Sequence, residues 1–147
     1  MTIQLPDLGA MEHFGARIAA QLRAGDVVAL TGRVGAGKTT LARAIISALG
    51  YGAEVPSPTF TIIETYDPPA VRLPLVHADF YRLERPEEIE ELGLEDYRKG
   101  AVLLAEWPDN AGGFESEPGC LAISLEVAEE GRIAIARGGA DWLGRMP

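Results

Sequence analysis

The run Gly32-Arg33-Val34-Gly35-Ala36-Gly37-Lys38-Thr39 fits the pattern G-x-x-x-x-G-K-[ST], whose residue types and spacing suit phosphate chemistry. Gly32, Gly35 and Gly37 admit positive φ and let backbone N–H groups come close to phosphate oxygens. Lys38 stands where an ammonium lies against β and γ phosphates, and Thr39 where a hydroxyl ligates Mg²⁺. Thr40 adds a further candidate phosphate contact. Lys38 and Lys99 are the only lysines, so the placing of one at the required position is informative. Two acids complete the set: Asp79 ends the apolar segment Leu75–Asp79, and Glu106 ends Ala101–Glu106. Beyond the carboxyl ends of strands in an open α/β sheet, such acids can hold a metal ion or orient a water nucleophile.

A glycine-rich turn can match the loop pattern by accident, so the flanking elements decide. Val27–Thr31 (VVALT) is a continuous apolar run of the kind found in a buried parallel strand. Thr39–Leu49 reads as a helix with Leu41, Ile45 and Leu49 on one face and Gly50 as its stop. A helix N-terminus directly after the loop favours an anion. Upstream, Thr2–Leu5 suits a short edge strand. Asp7 is placed to cap a helix reaching about Arg23, with Leu8, Met11, Phe14, Ile18 and Leu22 as its apolar stripe. Downstream, Val55–Phe60 reads as an extended loop, Thr61–Tyr66 and Leu75–Asp79 as strands, and Glu87–Leu92 as a short helix stopped by Gly93. Ala101–Glu106 predicts a second buried strand, and Leu121–Val127 with Arg132–Arg137 a hairpin around Glu129–Gly131. The expected fold is α/β: a single P-loop NTPase-like domain over residues 1–147, with a mostly parallel central sheet flanked by helices and a C-terminal β-hairpin.

The loop alone leaves the nucleotide reaction open. A guanine-reading Asn/Thr-Lys-x-Asp motif is absent, because neither lysine has those neighbours. Asp109-x-x-Gly112 fits a loose D-x-x-G but stands past the strand that ends in Glu106. A small P-loop kinase phosphorylating a metabolite is an alternative, although no arginine-rich lid segment is visible. A nucleotide-binding regulator with incidental hydrolysis is another.

Taken together, Gly32–Thr40 (GRVGAGKTT), Ser57-Pro58-Thr59-Phe60, His77-Ala78-Asp79-Phe80-Tyr81-Arg82-Leu83 and Glu106-Trp107-Pro108 occur in an order that resembles the TsaE family. These are the P-loop ATPases of bacterial tRNA threonylcarbamoyladenosine (t6A) biosynthesis. The resemblance runs from Leu5-Pro6-Asp7 to Gly131-Arg132. It implies ATP and Mg²⁺ as cofactors, Lys38, Asp79 and Glu106 as catalytic residues, and Thr39, Asp79 and Glu106 around the metal. It also implies nucleotide contacts from the loop (Gly32, Arg33, Val34, Gly35, Ala36, Gly37, Lys38, Thr39 and Thr40), from Leu8 and Arg132 at the chain ends, from Trp107, and from Thr59 as a γ-phosphate sensor. Arg33-Val34 replaces the family's commoner acidic-Leu pair, and Ala78 and Phe80 flank Asp79 where Phe and Leu are commoner. Taken singly, Trp107 also suits a hydrophobic cover on the sheet, Thr59 a strand-entry residue and Arg132 an ordinary hairpin residue. His77 reads as a partly buried structural histidine rather than a catalytic base.

The implied partners are the TsaB and TsaD proteins, engaged by nucleotide-dependent docking, with hydrolysis weak in isolation because no arginine finger is evident. Composition agrees with a role exerted through proteins. With 22 acidic against 13 basic residues the net charge is −9, which opposes direct, tight nucleic-acid binding. Glu84, Glu87, Glu88, Glu90, Glu91, Glu95 and Asp96 crowd one stretch, either a solvated face or a docking surface for a basic patch. Hydrophobic residues make up 47% and charged residues 24% of 147, an ordinary globular balance. The apolar runs are too short to span a bilayer, no signal peptide is evident, and the lone Cys120 rules out an internal disulfide. A cytoplasmic protein with no disulfide-linked partner is expected.

Overall fold

The structure, a computed structural model, describes residues 1–56 and 62–147. Strands β1 (Thr2–Leu5), β2 (Val27–Thr31), β3 (Ile63–Tyr66), β4 (Leu75–Asp79), β5 (Val102–Glu106), β6 (Cys120–Val127) and β7 (Arg132–Gly138) form one sheet in the order β1-β7-β6-β2-β5-β4-β3. The four central strands run parallel: β6 beside β2, β2 beside β5, and β5 beside β4. The outer strands are antiparallel, with β6 and β7 as a hairpin, β1 closing one edge and β3 the other. This is the α/β architecture that the alternation of apolar runs and helical stripes predicts.

Strands β2 and β5 are buried on both faces, which is why each reads as a nearly unbroken apolar run. Val28, Leu30, Val102 and Leu104 pack toward α1 (Leu8–Gln21) and α2 (Lys38–Ala48), against Phe14, Ile18, Leu41 and Ile45. Val27, Ala29, Leu103 and Ala105 face the opposite layer with Val76, Ala78, Phe80, Leu94 and Phe114. The helices α3 (Glu88–Leu92) and α4 (Leu94–Arg98) lie on that second side.

The Asp7 side chain caps α1 by accepting a hydrogen bond from Ala10 N at 2.8 Å. Met11, Phe14, Ile18 and Leu22 are buried as the stripe requires, but Leu8 is 60% exposed. It occupies the first helical position and faces an open recess rather than the core. Helices α1 and α2 meet at closest approach through Gly15, whose added Cβ would lie 2.6 Å from the Ala44 Cβ. The short helix expected before Gly93 is present as α3 and stops at that glycine, φ 72°, but a second short helix, α4, follows that the sequence does not predict. In α4 only Leu94 is buried, too little apolar content to signal a helix.

The chain after β7 is fastened by charge. Arg145 donates from Nη1 to Asp26 Oδ2 at 2.8 Å and from Nη2 to Oδ1 at 2.7 Å, and both residues are buried. Its guanidinium stacks 4.1 Å from the Trp142 ring centre, and Asp26 also accepts from Arg23 N. Removing one partner would leave the other charge buried and alone. Arg145→Met is therefore expected to lower the unfolding free energy by about 3 kcal/mol, read from urea denaturation. An unchanged midpoint would show that Asp26 is satisfied without it.

Candidate functional site

The parallel register brings the carboxyl ends of three strands to one level. Leu30 of β2 and Asp79 of β4 both pair with Glu106 of β5. Ligands in open α/β sheets bind at this edge, and here it opens into a cleft of about 450 Å³. The glycine loop between β2 and α2 forms one wall. A side chain at Gly32 would collide with Leu125 O, 2.6 Å from the position of a Cβ, and φ there is 142°. Gly37, at φ 107° and ψ 14°, turns the chain into α2 in a conformation that side chains rarely adopt. The local sequence thus dictates the loop shape.

Lys38 is 5% exposed. Its Nζ donates to the carbonyls of Gly32 and Arg33 and lies 4.3 Å from the Trp107 ring centre. Burial pulls its pKa down, while the Glu106 and Asp79 carboxylates oppose that pull. Arg132 grips the same loop from β7, donating to Ala36 O and Gly35 O, each at 3.1 Å. Two cations therefore occupy four of the loop's carbonyls.

Across the cleft, Thr39 Oγ1 donates to Glu106 Oε1 at 2.9 Å. Glu106 Oε2 lies 2.7 Å from His77 Nε2, and both side chains are buried. His77 is thus fully buried and bonded to a site acid, a role the sequence alone did not reveal. Its signal was the two-residue spacing to Asp79, which puts both on one face of β4. Asp79 Oδ1 accepts from Tyr81 N at 3.0 Å. Burial pushes the Asp79 carboxyl up; the Tyr81 N–H works against this, and the Glu106 charge adds to it.

Trp107 takes a left-handed conformation, φ 55° and ψ 51°, costly for a bulky residue. Its ring meets Tyr81 at 5.0 Å between centres, and both residues line the cleft. Tyr81 was not among the residues singled out from sequence. Arg33 and Val34 are exposed, Val34 at 76%, and Ala36 is buried with its N–H given to Arg33 O. Leu8 does not line this cleft. With Asp7, Met11, Gly37 and Thr40 it borders an adjoining, more apolar recess of about 240 Å³. Thr59 lies outside the described residues. Cys120 is remote from the site and buried, its thiol pushed up to about 12 by burial and by Glu117 and Glu115.

The donor set suits a polyanion accompanied by a hard cation. Among the described residues no cluster of three His, Cys, Asp or Glu side chains is placed to hold a metal ion. A cation here needs oxygens from its ligand as well, which is how Mg²⁺ is held with phosphates, one or two carboxylates and waters.

Such a loop, sheet order and set of acids define a P-loop NTPase-type protein. The family model described as "Threonylcarbamoyl adenosine biosynthesis protein TsaE" matches residues 5–134, and the chain belongs to the TsaE family. The tRNA threonylcarbamoyladenosine biosynthesis protein TsaE of Haemophilus influenzae is 33% identical over 138 residues, covering 90% of this chain and 85% of that one. The protein of the same name from Synechocystis is 40% identical over 114 residues, covering 74% and 71%. The crystal structure of Bacillus subtilis YdiB superposes with a TM-score of 0.72 at 27% identity, covering 97% of this chain and 88% of that one. No helix among the described residues is long and apolar enough to cross a membrane.

The direction of the Asp79 shift has a consequence for stability. An acid harder to ionise in the folded than in the unfolded chain loses stability as pH rises from its ordinary 3.8 through the folded value. Above both values the charge opposes folding. Asn keeps the oxygen that accepts from Tyr81 N. In thermal unfolding at neutral pH, Asp79→Asn is expected to melt above the native chain, with the gap closing as pH falls below 3.8. A variant that melts lower at neutral pH would contradict this.

Proposed function

We propose that this protein binds ATP with Mg²⁺ and hydrolyses the γ-phosphate, and that it serves t6A formation by nucleotide-dependent docking on TsaB and TsaD. The observation that carries the reading is the convergence of Lys38, Thr39, Asp79 and Glu106 on one cleft beside the glycine loop. In this reading Thr39, Glu106 and Asp79 would hold the Mg²⁺, which would supply charge neutralisation at the phosphates.

The remaining steps belong to the chain. Lys38 leaves the carbonyls of Gly32 and Arg33 and turns its ammonium to the phosphates. The loop N–H groups and the start of α2 face the anion. Arg132 keeps the Gly35 and Ala36 carbonyls turned aside. The recess beside Leu8 and Met11 takes the base, and Trp107 with Tyr81 shields the reacting end from bulk water. Asp79 orients the water that attacks the γ-phosphorus in line with the leaving oxygen. Thr59 senses the γ-phosphate. Membership of a family named for t6A biosynthesis supports the biological setting.

The test is release of inorganic phosphate from ATP by the purified chain, alone and with TsaB and TsaD. Partner-stimulated release is expected. Lys38→Ala and Glu106→Ala should each lower it by about a hundredfold. Undiminished release in Lys38→Ala would overturn the assignment, and phosphate appearing on an added metabolite instead would favour a kinase.

A further inference from the structure

We infer that His77 is a positioning residue: it fixes the Glu106 carboxylate so that Glu106 and Thr39 meet a divalent cation in one prepared arrangement. The inference rests on the proposed function and goes beyond it in naming what holds the metal acid in place.

Glu106 is 2% exposed, so its carboxylate has little water to solvate it. Its two oxygens are divided between two protein donors. Thr39 Oγ1 donates to Oε1 at 2.9 Å, and His77 Nε2 lies 2.7 Å from Oε2. Facing a carboxylate, Nε2 must carry the proton. A neutral imidazole then keeps a bare lone pair on Nδ1. That atom is buried and finds no partner among the described residues. Leaving an acceptor unsatisfied in an apolar interior is unfavourable, and a leucine at this position would avoid it. Packing therefore gives no reason for a histidine here, whereas the bond to Glu106 does.

The sheet makes this contact specific. His77 pairs in register with Leu104, and Asp79 with Glu106. His77 thus reaches Glu106 diagonally, over the same face that carries Asp79. Asp79 is left free to act on the cleft side while His77 holds Glu106 from within the core. Partners of this kind fix the orientation of metal-binding groups, and their loss characteristically weakens metal affinity by about 10- to 100-fold.

The test uses the full chain with His77→Leu, which removes the donor, and His77→Gln, whose side-chain amide restores an N–H near the Nε2 position. Mn²⁺ is titrated into each protein with ADP bound and followed by electron paramagnetic resonance; ADP affinity is measured separately in EDTA. His77→Leu should raise the Mn²⁺ dissociation constant by about tenfold or more. His77→Gln should recover most of the loss, and metal-free ADP binding should be unchanged in both. A folded His77→Leu that holds Mn²⁺ as tightly as the native chain, or a His77→Gln as weak as His77→Leu, overturns the inference. If His77→Leu does not fold, ¹⁵N NMR of the native imidazole decides: protonation on Nε2 supports it, and a proton on Nδ1 alone refutes it. Failure of the underlying function would look different, because the native chain itself would then bind Mn²⁺ no better than free ADP does.

Discussion

A carboxylate held almost out of water at the end of β5 constrains everything around it. Glu106 needs donors on both oxygens, and they come from different elements: Thr39 from the start of α2 and His77 from β4. Both can arrive only if β2, β5 and β4 keep the register that places Leu30, Glu106 and Asp79 side by side. A slip of one residue in β5 would turn Glu106 toward the layer of Phe80 and Phe114 and bring Ala105 to the cleft. Stability and site geometry therefore depend on the same pairing.

The parts that were legible in the sequence are local. Val27–Thr31, the glycine loop and the start of α2 are contiguous, so their chemistry and backbone preferences appear in one short window. Asp79 and Glu106 were legible because each ends an apolar run. What escaped depends on distance along the chain. His77 finds Glu106 29 positions away, Arg132 finds Ala36 96 away, and Arg145 finds Asp26 119 away. Periodicity carries no record of such pairings. Leu8 shows the converse: it has the spacing of a core residue, yet the helix start holds it at the surface.

The loop also separates its two kinds of polar group. Arg132 and Lys38 together engage the carbonyls of Gly32, Arg33, Gly35 and Ala36. An anion approaching the loop would otherwise meet these oxygens along with the amides, and the repulsion would cancel much of the attraction. For Lys38 the arrangement implies exchange rather than simple gain. Its ammonium already has two acceptors and an aromatic face, so any anion it binds must replace them.

The close contact of α1 and α2 reaches further than core packing. Gly15 lets the helices approach, and about one and two helical turns back along α1 stand Met11 and Leu8, which share the apolar recess with Gly37 and Thr40 of the loop and α2. The breadth of that recess is therefore set at a distance by the absence of one methyl group. A side chain at Gly15 would press on Ala44 and part the two helices, while leaving every residue that lines the recess unchanged. The chamber's calibre and its chemistry are thus separately adjustable, one by the spacing of two helices and the other by the side chains at their ends.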